Sequence, residues 1–189
     1  MATEERRISR YEAAIATLVG VCALFVSGYT AYVQRQQVRA AVWPILEFNS
    51  SNEPKIRFTV ANKGVGPAIV GHVVVTVDGK PVPHWHAVMQ ELAGPGKYSF
   101  SQSTISGRVV AAGESLDVFT PYGPDGQPLT RESTAPFHAG LDKGRGRVGV
   151  EICYCSTLGE CWTLRDAANG TSTTPIGACP EPAASTFQE

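Results

Sequence analysis

Val148-Gly149-Val150-Glu151-Ile152-Cys153-Tyr154-Cys155, then Ser156-Thr157-Leu158-Gly159-Glu160, then Cys161-Trp162-Thr163-Leu164-Arg165, is the stretch whose reading decides the fold. Side chains alternate across a strand. Val148, Val150, Ile152 and Tyr154 therefore share one face, and Glu151, Cys153 and Cys155 share the other. If Ser156 to Glu160 is the loop, Cys155 lies opposite Cys161. Trp162 and Leu164 then join the apolar face, and Thr163 and Arg165 the outer one. Residues 145–155 and 161–165 thus read as a hairpin whose two strands agree on where the core is. Opposed residues in such a ladder lie about 4.5–5.5 Å apart in Cα, within disulfide range. Cys153 also faces outward, which makes Cys179 its mate. Of the three connectivities open to Cys153, Cys155, Cys161 and Cys179, the expected one is Cys155–Cys161 with Cys153–Cys179.

Upstream, the same alternation recurs. Ile56, Phe58 and Val60 interleave with Lys55, Arg57 and Thr59, the pattern of a half-buried strand. Residues 43–48, 68–77, 98–105, 108–112 and 115–119 read as further strands. Asp78-Gly79 marks a hairpin turn. Residues 83–92 read as one short helix, with Trp85, Val88, Met89 and Leu92 at helical spacing and Gly94 as its stop. Residues 121–140, with four prolines, read as a surface excursion with room for one short helix. Seven or eight short strands separated by turn signals imply a β-sandwich.

The N-terminal part is different. No basic residue falls between Arg10 and Arg35, and Ile15 to Val33 carries no charge. Those 19 residues would span roughly 28 Å as a helix, close to the hydrocarbon thickness of a bilayer. Tyr29 and Tyr32 fall near one end, where aromatics favour the interface. A cleaved signal peptide would have a shorter apolar region followed by small residues, and the tyrosines occupy that place. Cys22 lies inside the run, and the Val-Gly-Val before it is a poor lipoprotein signal. The expected organisation is a cytoplasmic N-terminus at 1–10, a single transmembrane helix at 11–33, a stalk at 34–42 that either continues the helix or stands apart from it, a β-sandwich at 43–165, and a polar tail at 166–189 tied by Cys179. Three arginines (Arg6, Arg7, Arg10) precede the span and two (Arg35, Arg39) follow it, a positive-inside signal. Four clustered cysteines need an oxidising compartment. Both place the C-terminal domain in the periplasm, anchored in a bacterial inner membrane.

Asn62-Lys63-Gly64-Val65-Gly66-Pro67-Ala68, a Val-rich strand and Asp78-Gly79-Lys80, with Ala112-Gly113-Glu114-Ser115 further on, resemble immunoglobulin-like bacterial adhesion-type domains. Tyr154-Cys155-Ser156 and Glu160-Cys161-Trp162 resemble the Cys-rich "YCS…ECW" hairpin of uncharacterised membrane-anchored bacterial proteins. The resemblance covers roughly residues 43–165. It implies an immunoglobulin-like sandwich and, since its motifs are turns, no activity.

Site chemistry is sparse. Net charge is −1 and 17% of residues are charged, so no global field draws the chain to nucleic acid. Cys153-x-Cys155-x5-Cys161 lacks zinc-ribbon spacing, and no Cys-x-x-Cys occurs. Gly144-x-Gly146-x-x-Gly149 matches the dinucleotide fingerprint by letter but precedes a strand instead of following one. It reads as a flexible basic turn. No Gly-x-Ser-x-Gly elbow is present. The expectation is a non-enzymatic accessory or scaffold without cofactor, contacting an envelope protein partner and the membrane through residues 11–33. The first alternative is metal binding or delivery at His84 and His86 with His72 or His138, which requires an extended segment, since i and i+2 diverge on a helix. The second is a hydrolase of cell-wall or surface polymers.

Overall fold

The computed structural model describes residues 2–168, 170–181 and 187–188, with side chains from residue 11 onward. The side chains of the arginines at 6, 7 and 10 that bear on orientation, and the tail segment 182–186, lie outside what is described. Two compact units emerge, residues 1–41 and 42–189.

The first unit is one helix, α1 (Ala2–Ala41). From Tyr11 to Ala41 it is long and apolar enough to cross a membrane. The stretch at 34–42, expected to continue the helix or form a short stalk, continues it as far as Ala41, and Pro44 is the first residue that cannot extend it. Two hydroxyls inside the apolar run turn back on the helix: Thr17 Oγ1 donates to the Ala13 carbonyl and Thr30 Oγ1 to the Val26 carbonyl, each at 2.8 Å. Such back-bonding satisfies the hydroxyl within the helix itself.

The second unit is mainly β. Its elements are β1 (Leu46–Ser51), β2 (Arg57–Asn62), β3 (Ala68–Val77), β4 (Lys80–Val82), α2 (Trp85–Ala93), β5 (Ser99–Gln102), β6 (Val109–Val110), β7 (Ser115–Tyr122), α3 (His138–Gly144), β8 (Val148–Cys155), β9 (Cys161–Ala167) and β10 (Gly170–Ile176). They form two antiparallel sheets. One has the order β1-β2-β7-β5, the other β10-β9-β8-β3-β4, with β6 also pairing β3. One core joins both sheets: Phe48, Phe58, Val60 and Phe119 from the first, Val75, Val150, Ile152 and Leu164 from the second.

The β8–β9 register is the expected one, with Cys155 opposite Cys161 and Ile152 opposite Leu164. Tyr154, Ile152 and Leu164 are buried. On β3 the alternation breaks once. The ladder to β8 shifts between Val70 and His72, so Val70 and Val73, three apart, both reach the core while His72 points to the other face. An extra residue in one strand does this. α2 brings Trp85 against Phe119 and Phe58, ring centroids 4.6 and 5.7 Å apart. Trp85, Val88, Met89 and Leu92 are buried, as their spacing predicts.

The tail is where the sequence reading fails. Residues 170–176 form a full strand on β9, running from Gly170 opposite Ala167 to Ile176 opposite Cys161. Phe187 is 4% exposed and meets Trp85 edge-on at 5.1 Å. Its backbone N–H donates to the Val73 carbonyl at 3.3 Å, and that of Gln188 to the Pro83 carbonyl at 2.7 Å. The middle of β3, between β6 at one end and β4 at the other, thus receives the chain's own C-terminus. Composition misled because strand pairing is a backbone property. Threonine suits a pleated surface, and one aromatic ring suffices to seat a terminus.

Candidate functional site

Three features of the second unit are candidates: the disulfide-bridged face of the larger sheet, the histidines, and the apolar end where the chain enters.

Across the face of the larger sheet turned away from the core, His72, Cys153, Thr163 and Thr174 form one row. Ile69, Cys155, Cys161 and Ile176 form the next. Both cysteine pairs stand at bonding distance in the expected connectivity: Cys153–Cys179 with Cα atoms 5.7 Å apart, and Cys155–Cys161 with 4.0 Å. The tail passes over Gly71, where a β-carbon would stand 3.1 Å from Cys179 Cβ. That cover explains why Cys153 and Thr163, on the face expected to be wet, are buried. Glu151 and Arg165, opposite each other one row on, form an ion pair at 2.8 Å.

The two bridges touch. Cys155 Sγ and Cys179 Sγ lie 3.8 Å apart, and the sulfurs of Cys155, Cys161 and Cys179 all fall within 4.8 Å of one another. As thiolates these three would suit a soft metal. As disulfides their sulfurs are bonded in pairs and offer no thiolate. On the chain-entropy relation, the Cys153–Cys179 bridge, with a sequence separation of 26, is worth at most about 3.5 kcal/mol. The Cys155–Cys161 bridge, at a separation of 6, is worth at most about 2 kcal/mol. Cys155→Ser and Cys161→Ser should therefore lower the melting temperature alike, and Cys179→Ser by more. Alkylation of the native protein should modify none of the four.

His84 and His86 fall on and beside a helix. His84 is the N-cap of α2, its Nδ1 accepting the Ala87 N–H at 3.1 Å. His86 packs on Tyr98, with ring centroids 5.8 Å apart. The two imidazoles are 6.4 Å apart. His72 lies on the outer sheet face and His138 opens α3. Among the described residues, the trio of Cys155, Cys161 and Cys179 is the group of three donors within chelating reach. His72 Nδ1 and His138 Nε2 are buried without a hydrogen-bond partner among the described atoms.

The basic turn is not free. Arg145 donates to Asp142 Oδ1 at 3.1 Å and to Ser50 Oγ at 3.3 Å. Arg147 grips Asp78, with one contact at 2.9 Å. That grip holds the Asp78 carboxyl below its ordinary range. An open groove of about 840 Å³ is lined by Asn52, Glu53, Pro54, Thr130, Arg131 and Glu132, with Glu53 and Arg131 paired at 3.1 Å. Its lining offers no thiol and no imidazole.

Burial bears on two further titratable groups, Tyr154 and Asp117. Burial pushes the Tyr154 phenol up, against hydrogen bonds with the Leu46 backbone and the Thr173 hydroxyl. These bonds tie β1 and β10 to β8. For Asp117, burial raises the carboxyl, but Lys55 at 2.8 Å, Arg57 and the Thr59 hydroxyl together outweigh it and leave it below its ordinary value. A depressed carboxylate stabilises the fold above its unfolded value, about 3.9. That contribution is lost as pH falls through the folded value. The melting-temperature advantage of the native chain over Asp117→Asn should be present at neutral pH and be lost as the pH falls through the lowered folded value, below that of the unfolded carboxyl. An advantage that persists in acid would mean that Asp117 acts through something other than its charge.

Every exposed large apolar side chain described in residues 42–189 belongs to one set: Trp43, Ile45, Val65, Ile69, Val109 and Leu158. They gather where β1, β3 and β9 begin and β2 and β8 end. Val65 N–H donates to the Trp43 carbonyl at 3.0 Å, and Lys63 N–H to the Ile45 carbonyl at 2.7 Å. Ile69 is opposite both Val109 and Cys155. Trp43 stacks on Trp162 at 6.3 Å. The sequence reading missed this clustering, because the six residues come from five separate turns and strand ends.

Comparison with known protein families, curated proteins and solved structures found no match to this chain.

Proposed function

We propose that the chain is a single-pass accessory protein of a bacterial inner membrane, with its β-domain in the periplasm as a docking module for a larger envelope protein. The observation that carries this reading is the free edge of the larger sheet. β10 is a seven-residue strand, six of whose residues are exposed, and no described strand pairs its outer side. An open strand edge is a template for an added strand, with main-chain hydrogen bonds supplying affinity. Pro175 removes one donor near the end of the edge, which confines docking to Gly170–Thr174.

The strand order supports an immunoglobulin-like domain. In the usual lettering the smaller sheet reads A-B-E-D and the larger G-F-C-C′ with β10 added beyond G. The chain departs from antibody domains in its bridges, which link the F strand to G and to the tail within one sheet's surface. The span and the two bridges support the topology. Protease added to spheroplasts should remove the β-domain, and a protected domain would reverse the orientation. Photo-crosslinkers at Ser172 and Thr174 in native membranes should yield a discrete adduct identifiable by mass spectrometry. Recovery of the uncrosslinked chain alone, at native expression levels, would sink the docking reading.

A further inference from the structure

We infer that the two bridges of the larger sheet form one thiol–disulfide exchange site, at which a dithiol reductant is oxidised and Cys155 and Cys179 become the bonded pair, leaving Cys153 and Cys161 as thiols. The tail's tie then moves from Cys153 to Cys155 and is kept, while the domain holds two more electrons. This goes beyond the docking reading and does not rest on it.

Placement is the first argument. Ile69 is opposite Cys155 and His72 opposite Cys153, and the β3–β8 ladder shifts between Val70 and His72. Gly71, the extra residue at that shift, therefore stands level with the gap between the two cysteines. Cys179 packs on Gly71, where a β-carbon would be 3.1 Å from Cys179 Cβ and 3.2 Å from its Sγ. The tail cysteine is thus held between two partners on one strand. It is bonded to Cys153, and its Sγ lies 3.8 Å from that of Cys155, the contact distance of two sulfur atoms. Exchange runs through three sulfurs in line, with the attacking and leaving sulfurs on opposite sides of the one attacked. Cys153, the leaving group, is the sulfur that stands outside the cluster of Cys155, Cys161 and Cys179.

The second argument is access. Each bridge has a buried member, Cys153 at 1% exposed and Cys161 at 6%, and a half-buried one, Cys179 and Cys155. The half-buried members are the two in contact. An incoming thiolate attacks a sulfur it can reach, which directs it to Cys155 or Cys179. The thiols left at the end are the buried pair, and a thiol's susceptibility to oxidation follows its exposure. The third argument is that the moved tie stabilises as well as the first. The sequence separation is 26 for Cys153–Cys179 and 24 for Cys155–Cys179, and loop-closure entropy varies only with the logarithm of length.

The steps balance. One thiolate of the reductant attacks Cys155 Sγ. That S–S bond forms, the Cys155–Cys161 bond breaks, and Cys161 leaves as a thiolate that takes a proton from water. The second thiolate of the reductant attacks the first one's sulfur, closing the reductant's own disulfide and freeing Cys155 as a thiolate. Cys155 attacks Cys179 Sγ; the Cys155–Cys179 bond forms, the Cys179–Cys153 bond breaks, and Cys153 takes a proton. The reductant loses two electrons and two protons, and the chain gains them with one bridge kept. Entry at Cys179 gives the same product, since the freed Cys179 attacks Cys155 and releases Cys161.

The test treats the full chain, folded in detergent, with one equivalent of dithiothreitol. Acid stops the exchange, N-ethylmaleimide labels the thiols at low pH, and mass spectrometry locates the remaining bridge, with fragmentation between Cys153 and Cys155 telling those two apart. Of the molecules reduced by two electrons, at least about a tenth should carry label on Cys153 and Cys161 and a Cys155–Cys179 bridge, a tenfold margin on even exchange. A smaller share, with the label on Cys155 and Cys161 or on Cys153 and Cys179, would overturn the inference and leave two independent bridges. Cys161→Ser reaches the same point without reductant, since its Cys155 has no other partner. The folded variant should divide its one free thiol between Cys155 and Cys153. A thiol found on Cys155 alone would show that the contact with Cys179 does not support exchange, and would overturn the inference as well.

Discussion

Truncation after Asp166 should leave a chain that no longer melts cooperatively, although the removed segment has only Ile176 and Phe187 as large apolar side chains. Three losses coincide. Phe187 leaves the Trp85 ring it packs against, a deletion of the kind that costs about 3–5 kcal/mol in a packed core. The Cys153–Cys179 bridge goes, worth at most about 3.5 kcal/mol. β9 becomes an unpaired edge along its whole length. Together these approach the entire stability of an ordinary domain, about 5–15 kcal/mol. Phe187→Ala alone separates the first loss from the others. It should keep a cooperative transition and lower the melting temperature by roughly 10 °C. Calorimetry of the truncated chain showing a native-like transition would return the tail to the status of an appendage.

The contrast between hairpin and tail shows what a sequence can disclose here. In β8 and β9 the side chains carry the information: alternating burial and two cysteines at the loop fix the register. The Cys155–Cys161 bridge follows from facing, and Cys153–Cys179 from the outward-facing cysteine and the one that remains. In β10 the structure is carried by main-chain pairing to β9, and its Thr and Ser side chains have no face to declare. Phe187 was visible as an isolated aromatic, but its destination is set by a gap in β3 between β6 and β4. That gap exists only once both short strands have formed. The candidate surfaces were legible to different degrees. His84 and His86 stood out by their spacing, and the helix then took His84 as its cap. The apolar end was illegible, since its six residues are neighbours through strand ends that only the folded register brings together. The β10 edge was hidden with its strand.

The turn at Asn62 was legible as a turn and nothing more, yet it holds the domain's entrance together, and Asn62→Ala should cost about 4 kcal/mol. Asn62 is fully buried. Its amide oxygen accepts from Ile45 N–H at 3.2 Å and Gly64 N–H at 3.0 Å. Its amide nitrogen donates to the Gly66 carbonyl at 2.8 Å and the Val110 carbonyl at 3.0 Å. The side-chain amide has two donors and two acceptor sites, and all four are used. Alanine leaves four backbone groups from three segments without that partner, each worth about 1 kcal/mol or more when buried. Nothing else can slide in to replace it. A β-carbon on Gly64 would stand 2.3 Å from the Trp43 carbonyl oxygen, and one on Gly66 2.1 Å from that of Val42, so the entering chain already fills the turn. Asn62→Asp sharpens the test. At neutral pH the introduced carboxylate would face two carbonyl oxygens where the amide donated, and the loss should equal or exceed that of alanine. Protonation restores one donor, so the Asn62→Asp variant should regain stability relative to the alanine variant as the pH is lowered. Denaturant melts of both variants across the acid range decide the matter. If alanine costs less than about 1 kcal/mol, a typical single hydrogen bond, water has replaced the amide and the entrance is held by the glycine-lined fit alone.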